Sequence, residues 1–225
     1  MDTICDFVYD GTFDGLLCTV LRCINMRLAP SSIRPFDTLS QRTKDIVRIY
    51  TDRALAARFY EYIGNVASCG TARLISDFYL SASPDKETDI YILICKSIRH
   101  GAAVEGDFSD GLMDRVQNSV CDLYREAQTY LREISFRKSR DIDVAVISPV
   151  NSILPIIKGN ILRREELGDV TVFDRNHGVV LVRRSDISKT VYTGGKSVPE
   201  NAGCDYLADR SRDFLYRYPE LLHCG

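Results

Sequence analysis

The sequence predicts an α+β protein, a helical N-terminal region packed on a small, mainly antiparallel sheet, and three observations carry that prediction. The short apolar run from Ile4 to Tyr9 leads straight into the stretch YDGTFDGLL, which has the look of a strand, a turn and a helix start. Helical periodicity then dominates to about residue 133. Beyond Ile134 the pattern changes to short β-branched runs that read strand, strand, helix, strand, strand. With 225 residues, 45% of them hydrophobic and 27% charged, the chain has material for a real core. It reads as a single domain over 1–225: a helical part about 12–133, a β-rich part about 134–185, and a C-terminal tail and helix over 186–225.

The first helix begins near Thr12 and carries Leu16, Leu17, Val20, Leu21 and Ile24 at helical spacing. Gly11 permits the reversal before it, the Thr12 hydroxyl caps its N-terminus, and Asp14 in the first turn suits the helix dipole. The segment from Ala29 to Phe36, with Pro30 and Pro35, reads as a loop. Three helices follow: about Leu39 to Val66, with a break left open, about Lys86 to Arg99, and about Ser109 to Glu133. His100 and Gly101 end the second of these, glycine supplying the left-handed turn.

ISFRK and DVAVIS flank Ser139–Arg140–Asp141 as a hairpin. Ser152 is placed to cap a helix with Pro155 in its first turn, running to about Leu167 before Gly168. VTVFD and VVLVRR flank Arg175–Asn176–His177–Gly178 as a second hairpin. Asp186 to Gly203 reads as an irregular connection, and Tyr206 to Leu222 as a final short helix.

No run of about 18 apolar residues exists, and Asp2 and Asp6 stand where a signal peptide would carry Lys or Arg, so a cytoplasmic location and no membrane partner are expected. The eight cysteines show no C-x-x-C pair and no histidine set for zinc. Cys18, Cys95 and Cys121 read as buried reduced thiols. Neither a metal nor a cofactor is expected.

The net charge of −2 argues against a protein that coats nucleic acid, but the charge is uneven. From Thr129 to Arg164 seven basic residues (132, 137, 138, 140, 158, 163, 164) meet three acids (133, 141, 143), a local +4 against −6 for the rest. That stripe is either a footprint for a phosphate backbone or a solvated face of mixed charge. Within it Arg137 and Lys138 come from a strand and Arg163 and Arg164 from the helix after the hairpin, so folding could gather forks that grip phosphate.

The signatures of α/β-hydrolases, P-loop proteins, dinucleotide-binding folds and zinc proteases are missing, and whether the chain is an enzyme stays open. Asp10, Asp14 and Asp174 would converge on a divalent cation if the strands ending at Tyr9 and Phe173 were neighbours. Strand-end aspartates are also common turn formers.

YDGTFDGLL, Arg99-x-Gly101, REAQTYLREISFRK, SPVNSILPIIKGNILRREEL and VTVFDRNHG together give a chain that resembles the bacterial and archaeal "probable DNA metabolism protein" family over most of residues 4 to 185. That family is a domain of unknown function encoded beside radical SAM proteins assigned to DNA modification, and in some genomes fused to a uracil-DNA glycosylase-like domain. The resemblance marks Tyr9, Asp10, Gly11, Phe13, Arg99, Arg164 and Asp174 as family-like positions, and Arg99 joins Arg137, Lys138, Arg163 and Arg164 as a nucleic-acid-binding candidate. Gln128 and Asn160 occupy places where the family carries histidine. If those histidines are catalytic bases, this chain is an altered member; if they are structural or contact DNA, Gln and Asn keep part of the hydrogen bonding. The resemblance implies an accessory protein in DNA repair or modification, with DNA and a radical SAM or glycosylase-like protein as partners. The alternatives are a metal-dependent hydrolase of nucleic acid or nucleotides, and a protein-interaction module without direct nucleic-acid contact.

Overall fold

The computed structural model describes residues 5–36 and 46–184, and the backbone alone of 187–192. The chain is an α+β protein that divides into two compact units, Met1–Cys121 and Asp122–Gly225.

In the first unit β1 (Asp6–Tyr9) is the middle of a three-stranded sheet, with β2 (Ser32–Pro35) on one side and β3 (Ile46–Arg48) on the other, both parallel to it. This corrects the expectation that the first strand joins the hairpins. A strand buried on both faces shows no alternation that would betray its partners, as is usual in parallel sheets. The expected loop over Ala29 to Phe36 contains β2, and the N-terminal part of the long helix expected from Leu39 is replaced by β3; residues 37–45 lie outside the described residues. Pro35 is tolerated because β2 is an edge strand.

Helix α1 (Phe13–Met26) starts as expected: the Thr12 hydroxyl accepts the Gly15 amide at 3.0 Å. Helix α2 (Arg53–Val66) is capped by Asp52, and α3 (Cys69–Tyr79), which is not among the expected helices, by Ser68. Helix α4 (Lys86–His100) ends at Gly101 with φ +60°, and a 3-10 turn follows over Gly101–Gly106. The core joins Phe7 and Tyr9 to Leu16, Leu17 and Val20 of α1, Phe59 and Ile63 of α2, Ile75 and Phe78 of α3, and Ile90, Leu93 and Ile94 of α4. Each such side chain contributes about 1.5–3 kcal/mol on burial. Arg115 grips the buried Asp89 with two bonds, at 3.2 and 2.8 Å.

Helix α5 (Leu112–Glu133) contains the boundary between the units. In the second unit the predicted order strand, strand, helix, strand, strand is realised as β4 (Arg137–Ser139), β5 (Ile142–Ile147), α6 (Leu154–Leu162), β6 (Asp169–Asp174) and β7 (Val179–Arg184). These strands and β8 (Ile187–Tyr192) form a sheet in sequence order, antiparallel throughout except for the β5–β6 pair that α6 bridges. Part of the segment expected to be irregular after Asp186 is therefore a strand; the helix expected over Tyr206–Leu222 lies outside the described residues. Helix α6 stops at Leu162 rather than near Leu167, and Ser152 is not its cap; Ile153 holds that position with no side-chain bond. The loop before it is held instead by Glu126 of α5, whose carboxylate accepts the amides of Val150 and Asn151 at 2.7 and 2.8 Å.

Among the described residues no helix is long and apolar enough to cross a membrane. Of the cysteines expected to be buried, Cys18 is, Cys95 is half-buried and Cys121 is exposed.

Candidate functional site

The YDGTFDG stretch closes on itself. Tyr9, buried at the end of β1, donates its hydroxyl to Glu87 Oε1 at 3.1 Å, and burial beside that carboxylate and Tyr79 drives the phenol well above its ordinary range. Asp10 Oδ1 accepts the Thr12 amide at 3.0 Å and the Thr12 hydroxyl at 2.7 Å, while Oδ2 accepts the Thr51 hydroxyl at 2.7 Å, tying the end of β1 to the start of α2. Gly11 sits at φ +76° and its carbonyl accepts the Tyr79 hydroxyl. Phe13 packs edge-on to Tyr60 at 5.9 Å and against Tyr79 at 5.2 Å. The family-like residues Tyr9, Asp10, Gly11 and Phe13 thus each hold a turn or a contact.

Asp14 lies in the first turn of α1 and Asp10 directly follows β1, whereas Asp174 ends β6 in the other sheet. The strands ending at Tyr9 and Phe173 are not neighbours, so the condition for a shared cation fails. Among the described residues no group of three His, Cys, Asp or Glu side chains is placed to hold a metal ion.

Asp174 is buried and meets His177 twice, through the backbone amide at 3.1 Å and through ring Nδ1 at 2.8 Å. With Nδ1 donating, the tautomer leaves Nε2 as an acceptor on a ring that is 28% exposed. The pair also closes the hairpin, whose Asn176 donates to the Pro149 carbonyl at 2.9 Å.

The basic residues of the stripe separate. Arg137 pairs with Val144 and Lys138 with Asp143, so the two project from opposite faces of the sheet. Asp143 also accepts the Gly168 amide at 2.9 Å, which puts Lys138 on the side of the loop after α6. That loop borders an open concavity of about 860 Å³ whose lining includes Arg163, Arg164, Arg183, Gly168, Glu165 and Asp169. Arg163 is the exposed C-cap of α6. Arg164 donates to the Leu131 carbonyl at 2.7 Å and lies 5.8 Å from the Phe136 ring centroid. Gln128 and Asn160 are exposed on α5 and α6, and Arg99 is exposed in the last turn of α4, in the other unit.

Sequence reasoning missed Arg183. Its guanidinium donates to the carbonyls of Leu162 (2.8 Å), Arg164 (3.4 Å), Leu167 and Gly168 (2.7 Å), satisfying the open end of α6 and fixing the wall of the concavity. The available signal was the Arg183–Arg184 pair ending a strand of apolar residues.

Fold and site together define an α+β protein of two compact units, the second bearing an arginine-lined concavity. No family model matches the chain, and a search of curated proteins finds no match.

Proposed function

We propose that this chain is an accessory protein of DNA repair or modification that touches nucleic acid through the basic surface of its second unit, working beside a radical SAM or glycosylase-type partner. The observation that carries the contact is the concavity itself: three arginines against two acids, with Lys138 and its cross-strand partner Asp143 on the same side. Arg183 supplies shape, since its fork is committed to carbonyl oxygens; Arg163 and Lys138, both exposed, present charge to a phosphate. The DNA setting and the partner rest on the resemblance at YDGTFDGLL, Arg164 and Asp174.

Fluorescence anisotropy with a labelled DNA duplex tests the contact. Binding in the micromolar range or weaker is expected, weakening with salt, and Arg163→Ala or Lys138→Ala lowers the affinity and flattens the salt slope by about one each. Arg164 is a poor probe because its guanidinium also holds α5. No binding by the parent chain at about 50 mM salt overturns direct contact.

A hydrolase is the second reading, and the Asp174–His177 pair is the observation that favours it, as an oriented base. Turnover of oligonucleotides or nucleotides that disappears in His177→Ala, while the variant stays folded, would put this reading first.

A further inference from the structure

Three separated stretches of the second unit meet where β5 and β6 end. Ile147 and Asp174 are the last register pair of these parallel strands, so Ser148 and Arg175, which follow them, are neighbours; the Arg175 amide donates to the Ile147 carbonyl at 2.9 Å. Glu126 of α5 holds the Val150 and Asn151 amides and the Asn151 side chain, and Asn176 donates to the Pro149 carbonyl, so the loop after β5 is fixed from two sides. One turn further along α5 the Tyr130 hydroxyl bonds the Ser148 backbone. Burial, which outweighs that bond, and the carboxylates of Glu126 and Asp174 raise the phenol above its ordinary value. The place is the carboxyl end of a parallel pair joined by a helix, where α/β units take their ligands.

Arg175 is half-buried, and its Nε is fully buried with no hydrogen-bond partner among the described residues. A buried charged donor without an acceptor is costly, and such a group calls for an acceptor from outside the chain. We infer that the end of β6 binds an anionic group, a phosphate or a carboxylate, through the Arg175 guanidinium, with the Ser148 hydroxyl as a second donor. An arginine fork takes two oxygens of either group at once. The acids close by do not oppose the anion with free charge: both Asp174 oxygens are bonded by His177, and both Glu126 oxygens by amides of the loop. Ser148, Asn176 and His177 are exposed and Val150 is 69% exposed, so this end of the strands is open to a ligand. The inference concerns binding, and it is independent of the concavity and of whether His177 acts as a base.

The test is thermal melting of the full chain in phosphate-free buffer, then with inorganic phosphate or acetate at equal concentration, with calorimetric titration for the affinity. At least one of the two anions raises the parent's Tm, as a ligand of the folded state does, and the larger shift shows which anion the fork fits. Arg175→Lys weakens binding about 10- to 100-fold, because an ammonium cannot supply the fork. Ser148→Ala weakens it less, and Arg163→Ala, in the concavity, leaves it unchanged. Arg175→Met removes the unmet donor and keeps an apolar stem, so it melts no lower than the parent before anion is added and gains no shift from it. No shift in the parent, an equal shift in Arg175→Met, or a shift lost in Arg163→Ala overturns the inference. So does an Arg175→Met variant that melts well below the parent in phosphate-free buffer, since the guanidinium would then serve the fold itself.

Discussion

The carboxylate of Asp10 fills the space that a Cβ on residue 15 would need: a side chain there would collide with Asp10 Oδ1 and come within 2.8 Å of Thr51 Oγ1. The acid–glycine pairs of YDGTFDGLL are therefore one device. The aspartate that follows β1 folds back over the first turn of α1, and the second glycine makes room for it.

Gly15→Ala will destabilise the protein. In an open helix the change favours folding by about 1 kcal/mol, whereas here overpacking sets a cost of about 1–3 kcal/mol. Urea denaturation measures it, and a more stable variant would show that the Asp10 carboxylate is free to move aside.

Asp10 makes part of the stability acid-labile. Burial pushes its carboxyl up, but the bonds from Thr12 and Thr51 outweigh burial and hold it below its ordinary 3.8. With the folded value below the unfolded one, the contribution is complete well above 3.8 and is lost as pH falls through the folded value. Asp10→Asn should melt lower than the parent at neutral pH, and the gap should narrow at about pH 3. A gap that stays constant on acidification would mean the ionised form contributes nothing.

Arg183→Lys will cost about 1–3 kcal/mol, because a point-like ammonium cannot serve the four carbonyl groups that the planar fork reaches. Chemical denaturation gives the size, and limited proteolysis should show earlier cleavage between residues 163 and 168. Parent-like stability would show that water replaces the fork without loss.

His177→Ala leaves a buried Asp174 oxygen without its ring partner, a loss of about 1–3 kcal/mol. Adding Asp174→Asn should return part of that loss, since a neutral amide is less costly to bury unpaired. A double-mutant cycle decides the matter: additive single effects would mean the two side chains do not act as a unit.

The sequence by itself determined what depends on neighbours a few residues away. The Thr12 cap, the glycine turns at residues 11 and 101, helix α4 and the strand–strand–helix–strand–strand order of residues 137–184 all follow from local spacing and turn chemistry. What only the tertiary structure decided is non-local. The apolar run ending at Tyr9 announces a buried strand but contains nothing that selects its partners, and those turn out to be two short strands, one of them inside a proline-containing stretch that reads as a loop. Pairing register then decided which distant side chains share a face: it put Lys138 opposite Asp143, and Arg34 and Arg48, fourteen positions apart in the chain, in one row. Side chains alternate along a strand at every step, so whether two distant residues share a surface depends on a register set by the packing of the whole sheet, to which no single segment holds the key.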